Sequence, residues 1–234
     1  MKELRVPYFE TGVKCYLYGE KEMEFARMCE AAAVKYDVDV LFISSFMNMK
    51  DIARECPHLF VIAQCVDNWK PGRGMGKIIP EALKEAGAWG ACLNHCERPM
   101  ALCDIKGAID RCREAGIKSF VCADSIAEAM AVANLHPDIM NPEPSELIGT
   151  GTSPDMKYVT GVVKAVGEVD PKIITEIAAG ISTAQDVYDY IMAGSDAAGA
   201  ASGIIKSDRP AELLDEMVAA VAKAKADLAK KQLL

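Results

Sequence analysis

Three side chains of complementary chemistry stand at the ends of short apolar runs. Lys14 closes VPYFETGVK, His95 follows AWGACLN, and Glu143 closes PDIMNPE. A carboxylate can remove a proton from a carbon next to a carbonyl. A neutral imidazole can donate a hydrogen bond to that carbonyl oxygen, and an ammonium can stabilise the negative charge that develops. The set suits enediolate chemistry. Taken singly, each residue has a plainer meaning: a solvated lysine, a hydrogen-bonded structural histidine, a glutamate ahead of a loop. Their common placement is what favours a functional reading.

Two further signals surround these residues. His95 precedes CERPMALCDIKGAI, a helical stretch with Pro99 in its first turn, so N–H groups at the helix start are expected to face the ring and keep it neutral. Glycine-bearing segments IGTG (148–151), AAGIS (178–182) and ASG (201–203) follow later apolar runs. A solitary Gly ordinarily permits only a tight turn. Three in adjacent loops point to an anion cradle built from backbone N–H groups.

The elements that must carry these residues alternate regularly. Strand-like runs occupy 6–14, 38–44, 58–64, 88–94, 118–123, 137–143, 172–179 and 196–202. Between them lie helix-like stretches such as GEKEMEFARMCEAAAVKY, GKIIPEALKEAG, DIKGAIDRCREAG, SIAEAMAVANL, MKYVTGVVKAVGEV and STAQDVYDYIMAG. Gly87, Gly116 and Gly194 end helices before the next strand, and Pro210 opens a last helix running to about residue 231. Strand then helix, repeated, implies parallel strands with right-handed crossovers. Closing them gives an α/β fold, a single (β/α)₈ barrel spanning residues 1–234. An open doubly wound sheet would carry a Gly-rich fingerprint after its first strand, and ETGVKCY (10–16) contains no GxGxxG. In such a barrel working residues sit at the carboxyl ends of strands, where Lys14, His95 and Glu143 fall.

Bulk properties narrow the partners. The formal charge of -8 supplies no basic face, so nucleic acid is not an expected partner, and an anionic ligand needs a locally positive pocket. Nine cysteines, an odd count without CxxC spacing, and a start without a signal peptide suggest a reduced cytoplasmic protein with no structural metal. No apolar run reaches the roughly 18 residues of a membrane span.

LNHCER (93–98), EPSELIGTG (143–151), AGIST (179–183) and ASGIIK (201–206) resemble the triosephosphate isomerase family, its compact archaeal-type branch more than the longer bacterial and eukaryotic one. The likeness covers most of the chain, including residues 63–90. It implies a TIM barrel that interconverts glyceraldehyde 3-phosphate and dihydroxyacetone phosphate without metal or cofactor, as in glycolysis and gluconeogenesis. Carried over from the family, Glu143 would be the base, His95 the electrophile at the carbonyl, and Lys14 the electrostatic partner of oxyanion and phosphate. Pro144 to Gly151 would form a closing lid that excludes water. Ile148, Gly149, Gly180, Ala201, Ser202 and Gly203 match phosphate-gripping positions, and Glu97 matches a supporting residue.

Four departures accompany the resemblance. The family's Asn-x-Lys reads GVK here, so Gly12 stands at a substrate-contacting position without a side-chain donor. Glu10 occupies a place in the first strand that is usually apolar, facing either the barrel interior or the helices. Cys96 replaces a Ser, a weaker donor for a stronger one. PGRGMGK lacks the Thr that the longer branch inserts into its partner, so a homodimer or homotetramer would use other contacts in WKPGRGMGK (69–77). The room at Gly12 suggests an alternative, an isomerase of another small sugar phosphate such as a tetrulose phosphate. A catalytically idle phosphosugar-binding paralogue is the other, and the presence of both Glu143 and His95 argues against it.

Overall fold

A computed structural model describes residues 2–231. Eight parallel strands close on themselves in sequence order: β1 (Tyr8–Gly12), β2 (Val40–Ser44), β3 (Leu59–Ala63), β4 (Gly90–Leu93), β5 (Lys118–Ala123), β6 (Ile139–Pro142), β7 (Ile174–Ile177) and β8 (Ala197–Gly199). β1 pairs with both β2 and β8, Glu10 lying opposite Leu41 on one side and Gly199 on the other. Each expected run contains its strand, seven of them with trimmed ends. The largest trims, four residues each, are at β1, β7 and β8, where the neighbouring residues turn away to build loops.

The period-two alternation of strands sorts side chains into two cores. Phe9, Val40, Phe42, Val61, Val121 and Met140 point outward and pack with the helices. Tyr8, Leu41, Phe60, Ile62, Cys92, Phe120, Cys122 and Ile139 fill the inside. Burial on both faces explains why the strands read as nearly unbroken apolar runs. Glu10, Asn141 and Glu176 are buried polar exceptions with the inward parity. The orientation that the sequence leaves open for Glu10 is therefore the barrel interior.

The helices are α1 (Glu20–Tyr36), α2 (Met49–Glu55), α3 (Pro80–Glu85), α4 (Leu102–Ala115), α5 (Ile126–Ala133), α6 (Met156–Val169), α7 (Ala184–Met192), α8 (Ser202–Ile205) and α9 (Pro210–Lys231). Ser125, Asp155 and Thr183 cap α5, α6 and α7, each side chain accepting an N–H of the first turn. Gly87, Gly116 and Gly194 adopt φ of 89°, 74° and 105°, closing α3, α4 and α7 as expected. Two helices lie outside the sequence reading, α2 and the single turn α8. Pro99 also lies outside α4, which begins only at Leu102.

The amino ends of the strands are held structurally. Asp138 accepts the N–H and hydroxyl of Ser119, each at 2.9 Å, and Asp196 accepts the N–H of Thr175 at 2.9 Å. The carboxyl ends are left to chemistry.

Candidate active site

A cavity of about 670 Å³ opens at the carboxyl ends of the strands, and its lining includes Glu10, Gly12, Lys14, His95, Glu143 and Ser202. The three residues singled out by chemistry are thus brought into one space.

Lys14 follows β1 with φ of 45°, a left-handed conformation costly for a side-chain-bearing residue and often found where geometry serves function. Gln64, just past β3, donates to the Lys14 carbonyl at 2.9 Å and holds the turn. The Lys14 ammonium lies 3.1 Å from Oε1 of Glu97. Burial works against its charge, but the Glu97 hydrogen bond, with the charges of Glu97 and Glu143, carries its pKa above the ordinary lysine value. It stays cationic.

His95 sits two residues past β4. The N–H of Glu97 donates to its Nδ1 at 3.1 Å, in a turn closed by a 2.7 Å bond from Arg98 N–H to the His95 carbonyl. An occupied Nδ1 acceptor leaves the proton of the neutral ring on Nε2, which faces Oε2 of Glu143 at 3.8 Å. Burial, aided by the Lys14 charge and opposed by Glu97, lowers the His95 pKa. The expected imidazole follows, with one correction: the N–H at the ring comes from this turn, since α4 starts several residues later. Cys96 Sγ lies 3.8 Å from the same Nδ1, a marginal contact beside that of the Glu97 N–H.

Glu143 leaves β6 with its N–H bound to the Ala123 carbonyl at 2.8 Å. Burial pushes its carboxyl up to about 7, against the Lys14 charge and with a smaller upward push from Glu97. A carboxyl tuned there exchanges protons readily near neutral pH. The segment that follows is anchored at its start by Ser145 N–H, 2.6 Å from Asp124 Oδ1. It then makes a short 3₁₀ turn, Ser145–Leu147, and passes through Gly149 and Gly151, both at φ 74°.

The loops after β6, β7 and β8 meet through glycine. Gly180 has φ of 66°, and a β-carbon on it would overlap the Thr152 carbonyl. A β-carbon on Gly203 would lie 2.6 Å from the Ile181 carbonyl oxygen. Gly180, Ser182, Ala201, Ser202 and Gly203 all border the cavity. α8 starts at Ser202, so the first N–H groups of that turn have no acceptor within the helix. Ile148 and Gly149 line the same space from the β6 loop.

Some contributors carry no signal in composition or spacing. Asn94, at φ 56°, donates to the Cys122 carbonyl at 3.1 Å and to Glu128 at 2.9 Å, and accepts Met100 N–H at 2.9 Å. It pins the loop that carries His95. Asn141 and Glu10 lie deeper in the cavity wall. Their only sequence signal is a polar residue inside an apolar strand.

The family model described as triosephosphate isomerase matches residues 10–217. The chain belongs to the triosephosphate isomerase family. It is 33% identical over 203 residues to triosephosphate isomerase of Methanocaldococcus jannaschii, covering 86% of this chain and 92% of the relative. The enzymes of Sulfurisphaera tokodaii and Methanopyrus kandleri are each 35% identical, over 92% of this chain and 95% and 98% of theirs. The crystal structure of triosephosphate isomerase from Bartonella henselae superposes with a TM-score of 0.74, over 92% of this chain and 98% of that one. At 15% identity that likeness speaks for the barrel alone. Membership agrees with the resemblance carried by LNHCER, EPSELIGTG, AGIST and ASGIIK, and with the isomerase of the aldose–ketose kind that it implies.

Proposed function

We propose that this member of the triosephosphate isomerase family interconverts glyceraldehyde 3-phosphate and dihydroxyacetone phosphate. Glu143 takes a proton from the carbon beside the carbonyl and returns it to the neighbouring carbon. The Nε2–H of His95 donates to the carbonyl oxygen as charge develops there, and the Lys14 ammonium stabilises the enediolate and one edge of the phosphate. One proton moves between the two carbons while the hydroxyl proton passes from one oxygen to the other by way of His95 Nε2, and no electrons leave the substrate, so the step needs neither metal nor cofactor. Gly180, Ala201, Ser202 and Gly203 grip the phosphate with backbone N–H groups, and Glu97 holds both Lys14 and His95 in place. The lid, through Ile148 and Gly149, closes over the phosphate and keeps water from the intermediate.

The observation that carries this reading is the pairing of His95 Nε2 with Glu143 Oε2 at 3.8 Å, with Nδ1 already occupied. An acid–base partner and a hydrogen-bond donor thus face one reacting centre. A larger sugar phosphate is not favoured: a β-carbon at Gly12 would already lie 3.0 Å from Ile43 Cβ, so Ile43 takes part of the room that glycine leaves. An idle binding protein is not favoured either, since the base and the electrophile are both present and tuned.

The reading includes a cytoplasmic homodimer or homotetramer, with residues 69–77 as the contact loop; Trp69 and Met75 are exposed there. Light scattering that finds only monomer would remove this part. The activity is tested by assaying purified protein on glyceraldehyde 3-phosphate and on a tetrose phosphate. The expected result is a kcat/KM more than roughly tenfold larger for the triose. No turnover, or a smaller preference, would overturn the proposal.

A further inference from the structure

The departures at Gly12 and Glu10 belong to one strand, and the structure relates them. Both face the barrel interior from β1, Glu10 one inward position deeper, and both line the cavity that holds Glu143, His95 and Lys14. Gly12 places no side chain between Glu10 and the cavity. On the paired strand, Gly199 lies opposite Glu10, and a β-carbon there would overlap Oε2 of Glu10. Glycine on one side and glycine above therefore house a carboxyl that is only 5% exposed.

We propose that Glu10 is a substrate-contacting residue of this site: its carboxylic acid, at the floor of the cavity beneath Gly12, donates a hydrogen bond to an oxygen of the bound sugar phosphate. It supplies the donor that position 12 lacks. This inference rests on the isomerase reading above and adds a residue to it.

The surroundings keep Glu10 in the donating form. Burial first, then the charge of Glu143, raises its pKa to about 8, with Lys14 opposing. No hydrogen bond among the described residues contributes to that shift, so the carboxyl is left for a ligand. The titratable groups around it are Glu143 from β6, Lys14 at the end of its own strand, Glu176 from β7, Tyr8 below and Cys29 from α1. β2 and β8 present Leu41, Ile43, Ala197 and Gly199, none of them titratable. Tyr8 hydroxyl donates to Glu176 at 2.5 Å, which ties that carboxyl to the barrel floor and away from the substrate. Two carboxyls sharing one poorly hydrated space do not both ionise easily. Burial, with the Glu143 charge behind it, keeps the proton on Glu10 up to about 8, while Glu143, held at about 7, serves as base. A buried carboxylic acid held neutral is a competent donor to a developing oxyanion.

The test is the pH dependence of kcat/KM for the unaltered enzyme, E10Q and E10L, with circular dichroism to verify folding. The unaltered enzyme is expected to give a bell, rising as Glu143 ionises and falling as Glu10 does. E10L is expected to lose roughly tenfold to a hundredfold at pH 7, as for a lost donor to a substrate oxygen. E10Q, which keeps an N–H donor of similar reach, is expected to recover most of that loss and to lack the alkaline fall. An alkaline fall that persists in E10Q, or an E10L as active as the unaltered enzyme, overturns the inference while the isomerase reading stands. Should E10L not fold, the E10Q profile still decides. Absence of turnover in the unaltered enzyme overturns both.

Discussion

His95 Nε2 and Glu143 Oε2 face each other at 3.8 Å, beyond hydrogen-bonding distance, while the Nδ1 of the same ring accepts the Glu97 N–H at 3.1 Å. The near side of the ring is fixed and the far side is unspent. A donor held in one tautomer, close to a base but not bound to it, is prepared for a ligand between or beside the two. Replacing His95 with Ala leaves the base and the phosphate cradle intact and removes the donor at the carbonyl. The expected loss in kcat is roughly 10²- to 10³-fold, the usual effect of deleting one oxyanion donor. Steady-state kinetics that show an unchanged kcat would take His95 out of the mechanism.

Glu143→Asp moves the carboxylate back by one methylene. A displacement of about 1 Å at a reacting centre costs on the order of a hundredfold in kcat, with KM altered little because ground-state contacts remain. Glu143 must be ionised to act, and its pKa is about 7, so kcat/KM of the unaltered enzyme should fall as pH drops below that value. Lys14 remains cationic across this range and adds no limb, and burial moves the His95 ionisation below its ordinary value, to the acid side of that of Glu143. A midpoint near the ordinary glutamate value of about 4.5 would show that burial does not tune this carboxyl.

The barrel was largely legible in the sequence because its physics is local. Alternation in the strands, glycine at the ends of α3, α4 and α7, and Pro210 at the start of α9 each leave a mark in a few consecutive residues. The site was legible where strand ends could be counted, which placed Lys14, His95 and Glu143 on one rim. What escaped depends on contacts between distant segments. Asn94 is set by partners on β5 and α5, and Gly180 is set by Thr152 of another loop. The source of the N–H at His95 was misplaced because the first turn of α4 cannot be located from Pro99 alone. Glu10 was ambiguous for a related reason: parity fixes a face only once the register of β1 with β2 and β8 is known.

Gly180→Ala tests the junction between the lid and the phosphate loop. The residue has φ of 66°, and the added methyl would overlap the Thr152 carbonyl, so the loop after β6 must shift. Backbone strain of this kind costs roughly 1–3 kcal/mol. The shift should also spoil the phosphate cradle, raising KM for the phosphorylated triose by about tenfold or more, while Glu143 and His95 stay in place. Wild-type KM and wild-type thermal stability in this variant would mean that the two loops do not couple.

The raised pKa of Glu10 also has a consequence for folding. In the unfolded chain this carboxyl titrates near 4.5, and in the folded protein at about 8. The unfolded state therefore holds fewer protons than the folded state between those values, and stability falls as pH rises through that window. The contribution is fully present below about 4.5 and lost above about 8. E10Q has no proton to lose at this position. The stability of E10Q relative to the unaltered protein should thus increase from pH 5 to pH 9, by an amount on the order of a few kcal/mol. Urea midpoints of the two proteins at both pH values measure it, and taking the difference cancels the shared carboxylates that do not interact with Glu10. Equal differences at pH 5 and pH 9 would mean that Glu10 is ionised in the folded barrel throughout, and a carboxylate there could accept hydrogen bonds but not donate one.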